Sequence, residues 1–410
     1  MKVALVSAEY PPMQGGVGDY SSWLAAALSR QGLEVSVVTS ARVGSDGRDD
    51  DCPWNESVIS VVPRWDFGSW KHVLQAIDAT RPEVVHIQYQ TAGYGMHPAI
   101  NLLPLRLRLL RHRPKCVVTF HDLKVPYLFP KAGSLRAVPA ALLARFSDAV
   151  VVTNVEDSVQ IANAGVRRRE GTRTRYGGRP LYTIPIGTNI PVKPPADYDR
   201  QIWRERLGIE NKEILLAYFG FLNASKGVDV LLAALVELVG KGHSLKLLMI
   251  GGSYGDSDPT NLAYGQRIRA GVEESTCRHR VLWSGFTDRA HVSANLLASD
   301  VCVLPFDEGA SLRHGSLVAA IVHGLPIITT RAVAGRASLA SSSERDLPTL
   351  EGRTVLVPPR DVAALVDAVE QLSGSASLRQ TLSRRVSEIA PVFDWEAIAQ
   401  ETAKVYRDVL

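Results

Sequence analysis

Glu308 is the charged residue whose sequence surroundings most favour binding chemistry. It follows a β-type run at residues 301–305 and precedes a helical apolar pattern around 317–321, with a second β-type run at 327–330. The order predicts a βαβ unit in which Ser311 caps the helix. Open parallel sheets bind ligands at the carboxyl ends of their strands, and helix starts favour anions. A carboxylate beside an anion site suits a ligand with a hydroxyl-rich part and a phosphate part, such as a nucleotide sugar.

A second loop between a predicted strand and a predicted helix contains a lysine next to a glycine. The segment FGFLNASKG contains Gly220 and Lys226 and lies between a predicted strand over 214–219 and a predicted helix over 228–239. An ammonium at a helix start can neutralise a diphosphate. A further strand is predicted over 245–250.

Glycines near the amino terminus form another candidate phosphate loop. Gly15 and Gly16 follow a predicted strand over 2–7 and precede a helical pattern, so backbone N–H groups could bind phosphate there. The spacing is not GxGxxG, and Thr39 and Ser40 stand where a dinucleotide site would have an acidic residue. The pattern therefore argues against a nicotinamide or flavin cofactor.

Polar residues also follow two central strands of this first half. His121 directly follows an apolar run at 116–120, at a carboxyl end, although a lone histidine in such a place is more often structural than catalytic. His86 lies inside an apolar run and is expected to be a core residue with its hydrogen bonds satisfied. Gln88 and Gln90 come after it and could face the cleft, which makes them candidates for the acceptor side.

Composition limits the class of protein. The chain has 410 residues, 46% of them hydrophobic and 21% charged, as expected for a globular protein of two domains. A formal charge of +4 is too small for a nucleic-acid coat. The four cysteines form no CxxC pair, so neither a zinc site nor a disulfide framework is predicted. With no signal peptide and no membrane span in the pattern, a cytoplasmic protein is expected.

The alternation of strands and helices predicts an α/β fold in which two Rossmann-like, doubly wound domains face a cleft. A proline-rich stretch with Pro191, Pro194 and Pro195 marks the boundary. The predicted domains are 1–190 and 191–385, followed by a carboxyl-terminal helix over 386–410.

A basic, leucine-rich segment lies in the first domain. Between residues 97 and 114, leucines alternate with four arginines, at 106, 108, 111 and 113. The simpler interpretation is an amphipathic helix that covers the sheet with its arginines in solvent. The alternative is a peripheral contact with the anionic inner face of a membrane.

The stretch around Glu308 resembles the signature of a known family. Glu308-Gly309, then Ser316 to Ala320, then Gly324 to Ile328 look like the motif of retaining glycosyltransferases of family 4, which have the GT-B fold. The resemblance covers the whole chain and is strongest from 214 to 330. Two positions depart from it: Ser316 stands where the family has a second Glu, and Phe221 where it usually has Arg.

The resemblance implies roles for particular residues. The first domain would bind the acceptor and the second the nucleotide sugar, with the last helix crossing back to the first domain. In the family's arrangement Glu308 holds hydroxyls of the donor sugar and His121 lies near that sugar. The positions that match the family's donor-binding groups are Gly15, Gly16, Gly220, Lys226, Gly309, Ala310, Ser311, Leu312 and Ser316.

The resulting prediction is a retaining transferase that moves a sugar from a nucleoside diphosphate to a hydroxyl acceptor. Lys226 and the helix start after Glu308 would stabilise the leaving diphosphate, so no metal and no cofactor are expected. The sequence also shows no obvious carboxylate pair for double displacement. Two alternatives stay open: a nucleotide-sugar epimerase of GT-B type, and a non-catalytic relative that binds a sugar nucleotide or a partner glycosyltransferase.

Overall fold

The computed structural model describes residues 1–13, 15–41, 57–122, 138–154, 157, 175–176, 179–251, 259–332 and 348–410. These residues divide into two compact units. The first unit takes the described residues up to Gly187 and those from Asp394 onward, and the second takes those from Thr188 to Phe393.

The first unit is built on an eight-stranded sheet in the order β3-β2-β1-β4-β5-β6-β8-β7. All neighbouring strands are parallel except β7 and β8. The strands are β1 Lys2–Ser7, β2 Glu34–Ser40, β3 Ser57–Val62, β4 Val84–Gln90, β5 Lys115–Asp122, β6 Ala149–Val152, β7 Arg175–Tyr176 and β8 Arg179–Thr183. Nearly all residues of the central strands β1, β4 and β6 are buried because helices cover both faces of a parallel sheet.

Five described helices belong to this unit: α1 Gly16–Arg30, α2 Ser69–Thr80, α3 Ala99–Leu107, α4 Val138–Phe146 and, at the carboxyl terminus, α12 Trp395–Val409. On α1, Leu24, Ala27 and Leu28 are buried in the same core cluster as Ile398 and Tyr406 of α12. Asp394 begins α12, and its side chain accepts a hydrogen bond from the backbone N–H of Glu396.

The helix predicted within residues 97–114 is shorter than expected. It ends at Leu107, and the backbone N–H groups of Leu109 and Leu110 then bond three residues back, which is the geometry of tight turns. Leu105 and Leu109 are 41% and 70% exposed. The segment therefore presents apolar side chains to solvent instead of covering the sheet along its whole length.

The second unit contains a six-stranded parallel sheet in the order β11-β10-β9-β12-β13-β14. Its strands are β9 Ile214–Phe219, β10 Leu245–Ile250, β11 Val281–Gly285, β12 Val301–Leu304, β13 Ile327–Thr330 and β14 Val355–Val357. Its described helices are α5 Arg200–Arg206, α6 Val228–Gly240, α7 Pro259–Glu274, α8 Arg289–Ala298, α9 Gly315–Val322, α10 Val362–Gly374 and α11 Ala376–Ser387. The bounds predicted for β9, β10 and β13 are confirmed.

Each sheet is doubly wound, because the chain order reverses at a central strand: β1 next to β4 in the first unit and β9 next to β12 in the second. Cys116, Cys277 and Cys302 are free thiols in buried positions, and Cys52 lies outside the described residues. Within the described part of the chain, no helix has both the length and the apolar character needed to cross a bilayer.

Candidate functional site

The candidate residues lie at the carboxyl edges of the two sheets, and the edge of the first unit contains a carboxylate that the sequence analysis missed. Glu9 follows β1, and its carboxylate packs directly on Gly15, where any side chain would overlap it. A side chain at Gly16, the first residue of α1, would meet nothing within 4 Å. Burial and the nearby Asp19 raise the pKa of Glu9. Its position after a strand is the same signal that drew attention to Glu308.

His121 is held in one orientation by two neighbours. Its Nε2 lies 2.9 Å from Oε1 of Gln88, so Nε2 donates and Nδ1 carries the lone pair. The Tyr20 ring meets it edge-on at 4.5 Å between centroids. Burial lowers the pKa of His121 to about 3, and the imidazole is neutral at physiological pH. It can therefore donate or accept a hydrogen bond but cannot act as a cation.

The two glutamines of β4 differ in their surroundings. Gln88 is fully buried, and within the described residues its Nε2 has no hydrogen-bond partner. It contacts His121 rather than solvent, whereas Gln90, at the end of the strand, is half-buried. The prediction for His86 is confirmed: it is buried, with Nδ1 2.7 Å from the Tyr406 hydroxyl and Nε2 2.7 Å from the Thr119 hydroxyl.

A cavity of about 820 Å³ opens beside Glu9 in the first unit. Ser40 at the end of β2 and the segments that follow β1, β3 and β4 line it, so it lies at the carboxyl edge where open parallel sheets bind ligands. Its polar and aromatic lining includes Glu9, Arg64, Asp66, Phe67 and His97. The loop from residue 63 to 68 was not predicted as part of a site, because nothing in its sequence shows that it returns to β1.

In the second unit, two loops that are far apart in sequence come together. Gly220 has φ +138°, and a Cβ at this position would lie 3.9 Å from Cβ of Ser316. Gly227, at φ +66°, packs against the carbonyl oxygen of Pro305 so closely that no side chain fits. The backbone N–H of Asp307 donates to the carbonyl of Ser225 over 3.0 Å. The lysine loop and the Glu308 loop are thus joined.

Lys226 lies above an aromatic stack. Its Nζ is 4.8 Å from the centre of the Phe306 ring, and His314 stacks on the same ring at 4.0 Å. The Glu308 side chain is exposed in the turn that follows. Gly309, at φ +87°, fixes this turn, since a Cβ there would come within 2.6 Å of the backbone at Arg331 and Ala332.

The predicted cap of the following helix is wrong. Helix α9 begins at Gly315 after His314, with no side-chain cap, and the buried Ser311 hydroxyl has no hydrogen-bond partner within the described residues. Glu308 therefore lies seven residues before the helix, in a turn, rather than directly beside its start. The reason is that residues 311–314 form a turn of their own, closed by a bond from His314 N–H to the Ser311 carbonyl.

Three of the predicted phosphate-binding amides are already paired. The N–H groups of Gly309, Ala310 and Ser311 donate to Phe306 O, Thr330 O and His314 Nδ1, respectively. Leu312 is buried in the same loop. The N–H groups of Gly315 and Ser316 open α9 and have no partner inside the helix. The N–H groups of the helix start, which carry partial positive charge, therefore lie at Gly315 and Ser316, a few residues later than the sequence implied.

Arg360 is a cation of this site that the sequence analysis missed. It follows β14 at φ +59°, and its guanidinium pairs with Asp307 of the Glu308 loop and with Asp229 in the first turn of α6. These carboxylates raise the pKa of Arg360. The single positive charge of Arg360 offsets one of these two negative charges. Across the described ranges, no group of three or more His, Cys, Asp and Glu residues is arranged to hold a metal ion.

Two family models match the chain, each within one unit. A glycosyl transferase 4-like domain matches residues 15–177, and a glycosyl transferases group 1 domain matches residues 213–375. The matched ranges contain the glycine loop at 15–16 and His121 in the first unit, and Lys226, Glu308 and α9 in the second. The families are those expected from the sequence resemblance.

Two relatives align with nearly the whole of this chain. D-inositol 3-phosphate glycosyltransferase of Corynebacterium diphtheriae is 25% identical, over 100% of this chain and 95% of its own. Glycogen synthase of Mycobacterium tuberculosis is also 25% identical, over 99% and 94%.

Solved structures agree on the fold. Sucrose-phosphate synthase from Thermosynechococcus elongatus matches with a TM-score of 0.70 and 22% identity, over 100% of this chain and 99% of its own. Anabaena HepE, in complex with UDP and glucose, matches with a TM-score of 0.70 and 17% identity over 99% of each chain. Two doubly wound units, the two matched domains and these relatives lead to one conclusion: the chain is a GT-B glycosyltransferase and belongs to the group 1, family 4 type.

Proposed function

We propose that this glycosyltransferase moves a sugar from a nucleoside diphosphate sugar to a hydroxyl acceptor, with retention of anomeric configuration and without a metal ion. The observation that carries the proposal is the junction of two loops in the second unit. It combines the Lys226 ammonium, the opening N–H groups of α9 and the exposed Glu308 carboxylate. Cation and helix start suit a diphosphate, and a carboxylate suits sugar hydroxyls.

The reaction breaks the bond between the anomeric carbon and a diphosphate oxygen, which leaves with the electron pair. Lys226 and the start of α9 stabilise that developing negative charge. Glu308 accepts hydrogen bonds from donor hydroxyls and fixes the sugar. The acceptor oxygen attacks the same face, and its proton passes to the departing diphosphate oxygen. The neutral His121 contributes a hydrogen bond near the sugar and does not act as an acid or a base.

The two units then have separate tasks. We assign the nucleotide sugar to the second unit and the acceptor to the first, where the cavity beside Glu9 lies at the carboxyl edge of the sheet. Gly15 and Gly16 are the donor-binding candidates of the first unit. Gln88 would act through His121, which it orients, and Gln90 remains a candidate for direct acceptor contact.

We also propose peripheral contact with an anionic membrane surface, with the protein in the cytoplasm. The support is the end of α3 and the turn after it, where Leu105, Arg106, Leu109 and Arg111 are exposed. Apolar side chains enter the headgroup region and arginines pair with lipid phosphate. Flotation with anionic vesicles, compared with neutral ones and with a Leu109→Asp variant, tests this contact.

The decisive experiment follows nucleoside diphosphate release from a panel of UDP-, GDP- and ADP-sugars. Glu308→Ala should lower kcat/KM about 10- to 100-fold, because hydrogen bonds to a charged group contribute about 1.5–3 kcal/mol. Glu273→Ala removes an exposed carboxylate from α7 and should leave the rate unchanged.

Product stereochemistry and metal dependence are read in the same assay. An α-linked product from an α-linked donor, seen by NMR, supports retention, and full activity with EDTA supports metal independence. If no donor yields nucleoside diphosphate and calorimetry detects no donor binding, the proposal is overturned in favour of a non-catalytic partner protein. Turnover of a nucleotide sugar to its epimer without an acceptor would point instead to an epimerase.

A further inference from the structure

The cavity beside Glu9 has a charge pattern that selects among acceptors. We propose that it binds a neutral polyhydroxylated acceptor, a sugar or a cyclitol, and discriminates against the phosphate ester of the same molecule. This inference rests on the proposed function, since it specifies the acceptor of that transfer. It concerns only residues of the first unit. At about 820 Å³ the cavity lies within the range of about 300–1,000 Å³ that small-molecule sites occupy.

The first support is the balance of charge. Arg64 is the only Lys or Arg in the described lining, and its Nε is paired at 2.9 Å with Asp66. Asp66 also accepts the backbone N–H of Gly68 at 2.8 Å, and these contacts lower its pKa, so it is ionised. Arg64 and Asp66 cancel one another. Among the described lining residues, Glu9 is then the one acid without a paired cation, so a phosphate would meet an acidic group there and no free cation.

The second support is the supply of hydrogen-bond partners. Among the described residues, no donor is bonded to the Glu9 carboxylate, which lies between Gly15 and Gly93. A carboxylate accepts hydrogen bonds only, so its natural partner is a hydroxyl that donates. Ionised phosphate oxygens are acceptors as well. Glu9 can therefore bind the hydroxyls of a polyol and gains nothing from a phosphate group.

His97 does not change this balance. Its Nδ1 accepts the backbone N–H of Ala99 at 3.2 Å, which leaves Nε2 as the ring nitrogen that can donate. That is one donor in the lining of the cavity, and it suits a hydroxyl oxygen. Nothing in the described lining offers the paired cations that bind phosphate esters elsewhere.

An aromatic surface completes the site. Phe67 is 50% exposed, and it is held edge-on by Trp70 at 5.1 Å and by His97 at 4.9 Å between ring centroids. A large apolar side chain kept at the mouth of a polar cavity offers a face for the C–H surface of a sugar ring. The combination of one aromatic face and converging polar groups is typical of sites for small neutral ligands.

The test uses matched pairs of acceptors with the donor found by the release assay. Each pair is one compound with and without a phosphate monoester: myo-inositol and its phosphate, and glucose and glucose 6-phosphate. Product is measured by mass spectrometry, and kcat/KM for the neutral member should exceed that for its phosphate at least tenfold. Equal or better use of the phosphorylated member by the wild-type protein would overturn the inference.

Two variants identify the residues responsible. Glu9→Gln keeps the shape and removes the charge, so KM for the neutral acceptor should rise at least tenfold and the preference over the phosphate should shrink. Asp78→Asn removes an exposed carboxylate of α2 that is outside the cavity and should leave both unchanged. An unaltered preference in a folded Glu9→Gln protein would contradict the assignment.

A direct binding experiment distinguishes failure of the cavity assignment from failure of the proposed function. If no donor is bound or cleaved, the same compound pairs are titrated directly against the full chain and followed by saturation-transfer NMR. Binding of the neutral member alone, weakened by Glu9→Gln, supports the cavity assignment without any transfer. Binding of the phosphorylated member alone, or of neither, refutes it.

Discussion

Gly309 offers a direct test of whether the Glu308 turn has the geometry described. Its φ of +87° lies in the left-handed region, and a Cβ would come within 2.6 Å of both Cα of Ala332 and the carbonyl oxygen of Arg331. Both obstacles are backbone atoms, so neither can rotate away. Gly309→Ala should therefore displace the turn that presents Glu308, or destabilise the second unit, or both.

The magnitude follows from two additive costs. A left-handed conformation costs a non-glycine residue about 1–2 kcal/mol. Forcing an extra carbon into a closely packed place costs about 1–3 kcal/mol more. We expect a total of about 2–5 kcal/mol for Gly309→Ala. Gly352→Ala should cost only the first part, since Gly352 has φ +72° but nothing within 4 Å of its Cβ position.

The assay combines calorimetric unfolding with donor KM. For a unit of this size, each kcal/mol lowers the unfolding temperature by about 2–4 °C. Gly315→Ala is the control for adding a methyl group near the site. Gly315 begins α9 with an ordinary φ and open space around its Cβ position, so this variant should leave the unfolding temperature and donor KM unchanged. The reasoning is refuted if Gly309→Ala matches Gly352→Ala in both unfolding temperature and donor KM.

Two further predictions concern the buried histidines of the first unit. Burial lowers the folded-state pKa of both His86 and His121 to about 3. Between about pH 6.5 and pH 3, only the unfolded chain therefore takes up protons at these rings. As the pH falls through this range, the free energy of unfolding should decrease by about 1.4 kcal/mol per pH unit for each ring. Urea unfolding between pH 7 and 5 checks this; His121→Gln should reduce the slope, and an unchanged slope would contradict it. Tyr406→Phe removes the partner of His86 Nδ1 and should cost about 1–3 kcal/mol. Tyr182→Phe loses an exposed hydrogen bond to Asp408 of α12, and it should change the free energy of unfolding by no more than about 0.5 kcal/mol. Equal losses of stability in Tyr406→Phe and Tyr182→Phe would contradict this prediction.

Local patterns were sufficient for much of the fold. The strands at 214–219, 245–250 and 327–330 are rich in apolar and β-branched residues, and such runs form buried parallel strands wherever helices can cover them. The order of strand, loop and helix around Glu308 was also predicted. Where the helix begins was not, because Ser311 has the composition of a cap while the chain makes a turn through His314 first.

The site was predicted in part. Lys226 and Glu308 carry sequence signals, and the structure places their loops in contact through Asp307 and Ser225. Arg360 carries no comparable signal, because it is 53 residues from its partner Asp307. Nor could the sequence show that the amides from Gly309 to Ser311 are occupied, since their acceptors include the carbonyl of Thr330 on another strand.

The sequence by itself determined the class of this protein: alternating apolar runs specify doubly wound α/β units, and the motif around Glu308 resembles that of the glycosyltransferase family whose models match the chain. Tertiary structure alone decided which side chains share a site. It brought Glu9 against Gly15, placed the loop at 63–68 beside them to form a cavity, and joined Arg360 to Asp307. The physical reason is that strand and helix formation depend on neighbours along the chain, whereas a cavity and its charge depend on which strand ends become adjacent when the sheet assembles.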